Sequence, residues 1–104
     1  NQRETAVICD RRSGQPLHRA IVWQDRRTEE YLTALRESGK ELLIQQRTGL
    51  LADPYFSASK WHWMLREIPD GRARALAGEL AAGTLDSWLI YQLTGARVHA
   101  TDVS

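Results

Sequence analysis

"TAVICDRRSGQPLHRAIVW", residues 5–23, decides how this chain is read. Residues 5–10 read as a strand, apolar on successive positions near its centre. "DRRSGQP", residues 10–16, carries turn chemistry: Ser13-Gly14 supplies the left-handed position and Pro16 ends the loop. Residues 17–23, "LHRAIVW", read as the returning strand. Strands apolar on consecutive residues are covered on two faces, not one. The hairpin is therefore expected to belong to a larger sheet that this chain does not fully supply.

Helices follow the hairpin. Thr28 predicts an N-cap, with Glu29 and Glu30 favourable at the positive end of the helix dipole. Tyr31, Leu32 and Leu35 form its apolar face and Gly39 stops it. A second helix is expected over 41–47, ending near Gly49. "LADPYF", residues 51–56, must turn or extend, because Pro54 disfavours helix at Asp53. Ser57 or Ser59 is expected to cap a third helix carrying Trp61, Met64, Leu65 and Ile68 at helical spacing. Residues 72–80 predict a shorter fourth helix. "LAAGT", residues 80–84, reads as a brief strand. Thr84 is expected to cap a fifth helix with Leu85, Trp88, Leu89 and Leu93 inward. "ARVHATDVS", residues 96–104, alternates weakly and predicts a last strand.

Composition narrows the classes of function. The chain has 104 residues, a net charge of +1 and one cysteine. That length suits one small domain with a modest core. The basic residues are paired among acids and form no stripe, so nucleic acid is not an expected partner. No apolar run is long enough to span a bilayer. Cys9 lies inside an apolar strand and reads as a small buried hydrophobe. Phosphate-loop, dinucleotide and zinc motifs are absent. His18, His62 and His99 lack metal-ligand spacing, so no metal site is expected. The polar opening "NQRET", residues 1–5, runs straight into the strand, and the last residues stop as abruptly. The expectation is a fragment of something larger.

Three places invite a functional reading. Arg3 and Glu4 pair a donor with an acceptor, a combination suited to vicinal hydroxyls. Strand neighbours point to opposite faces, so both can serve one pocket only from a bend before the strand. Trp23 ends an apolar segment just before polar residues, at the kind of strand end where α/β folds bind ligands. Tyr55 lies in a constrained loop and offers a hydroxyl. Each has a plainer alternative: a solvated strand end, a core tryptophan, a tyrosine packed over a helix. The residues alone leave these choices open.

"NQRET", "AIVWQDRRT", "RTGLLADPYFSASKWHWML", "GELAAGTLDSWLIYQLTG" and "RVHATD" stand in an order that resembles the FGGY family of carbohydrate kinases, and within it the branch that phosphorylates glycerol. The resemblance covers nearly the whole chain and a slice of the family's N-terminal domain. It implies an α/β fold of the ribonuclease H-like, actin-type class, with residues 1–104 as one fragment and the C-terminal domain and the remaining N-terminal segments lying elsewhere. It implies transfer of phosphate from MgATP to glycerol, giving glycerol 3-phosphate, by a cytoplasmic enzyme that forms a homo-oligomer. The family's glycerol contacts match Arg3, Glu4, Trp23 and Tyr55. Trp61, Trp63 and Trp88 stay packing residues. The catalytic Asp and the ATP and magnesium sites match nothing here, so the isolated chain is expected to be inactive. Two alternatives are a kinase of the same family acting on a longer polyol or ketose, and a polyol-binding module without catalysis.

Overall fold

The computed structural model describes residues 3–102. In chain order they form β1 (Ala6–Asp10), α1 (Glu29–Glu37), α2 (Lys40–Thr48), α3 (Ser57–Glu67), α4 (Gly71–Leu76), β2 (Leu80–Thr84) and α5 (Leu85–Leu93). The mixed α/β class is as expected.

β1 is the centre. It pairs antiparallel with β2, from Ala6 opposite Thr84 to Asp10 opposite Leu80. Because strand side chains alternate between faces, β1 feeds two cores. Ala6 and Ile8 join Ile21, Met64 and Ile68 on one side, with Leu17, Trp61, Trp63 and Leu80 packed around them. Cys9 joins Ala81 and Tyr91 on the other, flanked by Trp88. Thr5 through Cys9 are all buried, which is the two-sided cover that successive apolar residues predict.

The returning segment departs from expectation. Residues 17–23 form no strand; the returning chain pairs with β1 at isolated bridges, Ala6–Ile21 and Cys9–Pro16, and the Leu17 N–H donates to the Ile8 carbonyl at 3.0 Å. Between those bridges, Val7 and Ile8 lie opposite Leu17 through Ala20. The lengths do not match, so no continuous ladder can form. Pro16 also has no N–H to donate. Val22 and Trp23 are consequently exposed, and the regular partner of β1 is the distant "LAAGT" segment.

The turn itself is built as its residues predict. Asp10 Oδ1 accepts from the Arg12 and Ser13 backbone N–H groups at 3.0 and 2.9 Å. Gly14 takes φ +71°, and a Cβ there would sit 2.8 Å from Gln92 Nε2. α5 closes over this turn: Tyr91 Oη donates to the Arg11 carbonyl, and Trp88 Nε1 reaches the Gly14 carbonyl at 3.4 Å.

Several helix details differ from the periodicity. Thr28 precedes α1, but its hydroxyl meets Ser59 Oγ at 2.9 Å and caps nothing. Ser57 and Ser59 lie inside α3, and Phe56 holds the N-cap position without a side-chain bond. α4 ends at Leu76, because Gly78 at φ +75° turns the chain into β2. In α5, Leu89 and Leu93 are exposed, while Ser87 and Tyr91 are buried. The small face of α5 is selected by contact with the sheet: a Cβ on Gly83 would lie 2.6 Å from Ser87 Cβ. Residues 97–102 form no strand, and residues 103–104 lie outside the described residues.

Gly83→Ala should therefore force α5 off the sheet, at a cost of about 1–3 kcal/mol. Thermal unfolding of the full-length protein carrying this chain checks it. A lowered midpoint is expected for Gly83→Ala, whereas Ala82→Ser, at an exposed neighbour, should leave the midpoint unchanged.

Candidate functional site

Glu4 lies two residues before β1, in the turn that begins the described chain. Its φ of 59° is left-handed and unusual for a residue other than glycine. This is the bend that Arg3 and Glu4 need in order to face one region together. Arg3 is exposed and Glu4 half-buried. Among the described residues the Glu4 carboxylate takes its hydrogen bond from Ser57, not Arg3: Ser57 Oγ donates to Oε2 at 2.6 Å.

Tyr55 lies in the loop before α3. Asp53 Oδ1 accepts from the Tyr55 N–H at 2.8 Å, and Pro54 beside it is buried. The ring stands edge-on to Trp23, with centroids 6.0 Å apart, and edge-on to Phe56 at 5.2 Å. Trp23 and Tyr55 are 42% and 40% exposed, so neither is a core ring. They form an open aromatic wall. Trp23 lies outside both core clusters, and the Tyr55 ring packs against Trp23 and Phe56 while staying partly open.

Trp23 is followed by a polar clamp. The Arg27 side chain bonds Asp25 through Nε at 2.9 and 3.0 Å and through Nη2 at 2.7 Å, and the Arg27 N–H adds a fourth contact at 2.9 Å. The same guanidinium lies 4.8 Å from the Trp63 ring centre. The Arg27 hydrogen bonds hold the Asp25 carboxyl below its ordinary value, against a smaller upward push from burial.

Lys60 joins these pieces. Its side chain is fully buried. Nζ donates to the Glu4 carbonyl and to the Tyr55 carbonyl, each at 2.6 Å. Burial pushes the ammonium pKa down, while Glu4, Asp25 and Asp53 attract the charge and oppose that shift. The residues alone did not single out Lys60 or assign Ser57 to Glu4. A signal was present: Ser57, Lys60 and Met64 share the inward face of α3 at helical spacing, and a lysine on a core-facing stripe requires a partner.

Glu4 also borders a cavity of about 320 Å³, lined by Ser57, Trp61, Gly83, Ser87 and His99 among others. Trp61 Nε1 and Ser87 Oγ are buried without a partner among the described residues. Trp23 and Tyr55 do not line it. Of the four expected contacts, Glu4 borders the cavity, while Trp23 and Tyr55 meet edge-on outside its lining. Among the described residues no three of His, Cys, Asp and Glu converge as metal ligands, and no helix is long and apolar enough to cross a membrane.

The family model for the N-terminal domain of the FGGY carbohydrate kinases matches residues 1–104. The chain belongs to the FGGY family of carbohydrate kinases. It is 62% identical over all its residues to a glycerol kinase of Leptothrix cholodnii and 64% identical to one of Paracidovorax citrulli, covering 21% of each. The crystal structure of Plasmodium falciparum glycerol kinase with ADP superposes with a TM-score of 0.85 at 40% identity, over 90% of this chain and 19% of that one. This FGGY chain thus spans about a fifth of the length of the curated relatives it matches, at 21%. The family and the fold agree with the resemblance read from the motifs.

The Asp25 clamp makes a pH prediction. A carboxyl whose pKa is lowered by folding stabilises above its ordinary value, about 4, and loses that contribution as pH falls through the lowered folded value. The pair is partly exposed, so the effect is no more than about 1 kcal/mol. Asp25→Asn should lower the unfolding midpoint at pH 7, and the gap from the parent should close under acid. Midpoints measured from pH 7 to pH 2 check it.

Proposed function

We propose that this chain is the polyol-orienting part of an ATP-dependent glycerol kinase, as one fragment of its N-terminal domain. The observation that carries the reading is the joint placement of Glu4 and Tyr55 by one ammonium, with the Trp23 ring against Tyr55. Relatives named glycerol kinase at about 60% identity support the choice of substrate.

Each residue has a definable task. Glu4 Oε2 is already held by Ser57, which leaves Oε1 to accept from a substrate hydroxyl. Arg3, one residue away and exposed, donates to a neighbouring hydroxyl oxygen. A donor and an acceptor side by side suit adjacent hydroxyls and discriminate against an analogue that lacks one. The Trp23 face offers apolar cover to the carbon chain, and the Tyr55 hydroxyl completes the polar contacts. Together they fix which hydroxyl is presented for reaction, the orienting share of catalysis.

ATP enters this proposal through the relatives; the Plasmodium structure carries ADP. Magnesium is proposed as its companion, and when bound it would neutralise developing phosphate charge. The family resemblance assigns the nucleotide, the metal and the proton-accepting base to parts of the protein beyond this chain. The isolated 104 residues are accordingly expected to be inactive. A cytoplasmic, homo-oligomeric full-length enzyme completes the proposal.

In the full-length protein, Arg3→Ala and Glu4→Ala should each lose about 1–3 kcal/mol of transition-state binding, roughly five- to 150-fold in kcat/KM for glycerol. Steady-state ADP release with glycerol, dihydroxyacetone, erythritol, xylulose and ribulose checks both substrate and site. Parent-like kinetics in both variants rejects the site, and preference for a pentulose rejects the substrate.

A further inference from the structure

Lys60 is an expensive residue to keep. A buried ammonium survives only when hydrogen bonds and opposite charges replace its water. Here the replacement is specific. The two carbonyls that receive Nζ at 2.6 Å belong to Glu4 and Tyr55, residues 51 positions apart in sequence (55 − 4). Three carboxylates, of Glu4, Asp25 and Asp53, attract the charge. Nζ also lies 6.0 Å from the centre of the Tyr55 ring.

An ordinary structural lysine would tie core elements together. This one ties Glu4, which borders the cavity, to Tyr55, whose ring is partly exposed beside it. Glu4 is held in a left-handed conformation at φ 59°, which costs a non-glycine residue about 1–2 kcal/mol. The Lys60 bond to its carbonyl is one of the contacts that keep it there. Ser57, one turn earlier on α3, fixes the carboxylate of the same residue. One helix face thus holds both the backbone and the side chain of Glu4, and the backbone of Tyr55.

We propose that Lys60 is a positioning residue for the polyol site: its ammonium, bonded at once to the Glu4 and Tyr55 carbonyls, sets the spacing between the carboxylate and the phenol that grip the substrate. This rests on the reading of Glu4 and Tyr55 as substrate contacts. Lys60 touches no substrate itself and acts through these two residues. Removing the ammonium leaves both carbonyls without their donor and lets the two contacts drift independently.

The test uses the full-length protein, with Lys60→Met as the apolar isostere. The KM for glycerol should rise at least tenfold, while the KM for ATP stays within twofold. A purely structural defect would move both together. Lys60→Gln, which keeps N–H donors on a shorter chain, should fall between Met and the parent; it also supplies a folded variant if the Met form does not accumulate. In a Glu4→Ala background, Lys60→Met should add less than its own single effect, because its target is gone. A glycerol KM within twofold of the parent in either soluble Lys60 variant overturns the proposal, as does full additivity with Glu4→Ala. If Glu4→Ala itself leaves glycerol kinetics unchanged, the site reading has failed first, and the outcomes are distinguishable.

Discussion

A five-residue strand with no wet face organises this structure. β1 cannot leave Ala6 through Cys9 in water while both cores persist, so material must cover it from each side. α3 supplies Met64 and Ile68 on one face, and α5 supplies Tyr91 on the other. β2 satisfies one edge of β1 in regular register. The other edge is met at the isolated bridges of the returning segment. That irregular edge matters, because it lets the chain swing outward after Ile21 and leaves Trp23 half in solvent.

The candidate site grows from the same constraint. Glu4 is where the chain turns into β1, and α3 is the helix packed along that strand. A helix laid against β1 brings its first turn beside the strand's entry point. Ser57 and Lys60 are therefore within reach of Glu4, and the loop that starts α3 delivers Tyr55 to the same place. The polar arrangement is a consequence of apolar packing two turns further along α3. Charge then makes it specific: a buried ammonium tolerates few geometries, since each lost hydrogen bond leaves a desolvated donor.

The aromatic wall follows a different logic. Trp23 and Tyr55 meet edge-on, an arrangement favoured by ring quadrupoles, yet both stay partly open. Trp61, Trp63 and Trp88, by contrast, pack against the two cores. The Arg27 side chain, bound to Asp25 and laid on Trp63, anchors the segment behind Trp23. The wall is thus supported from behind by ionic and cation–π contacts, while its rings stay partly exposed.

Much was legible in the residues alone. The buried strand at 5–10, the Asp10–Gly14 turn, the five helices, the brief strand at 80–84 and the bend at Arg3-Glu4 follow from local rules: hydrophobic period, turn chemistry and the behaviour of glycine and proline. Motif order pointed to the FGGY family, which the family match bears out. What local rules could not decide was pairing and facing. Residues 17–23 have the composition of a strand, but pairing is a property of two segments, and the segment lengths between Pro16 and Ile21 do not match β1. Leu89 and Leu93 suit a core face, but the close approach of Gly83 to Ser87 turns the small face of α5 inward instead. Thr28, Ser57 and Ser59 look like caps until tertiary partners claim their hydroxyls. Lys60 looks like any surface lysine in composition; only packing α3 against β1 buries it and brings the Glu4 and Tyr55 carbonyls to one nitrogen. Local structure was determined by side-chain chemistry along the chain, and the site by which distant segments the core forced together.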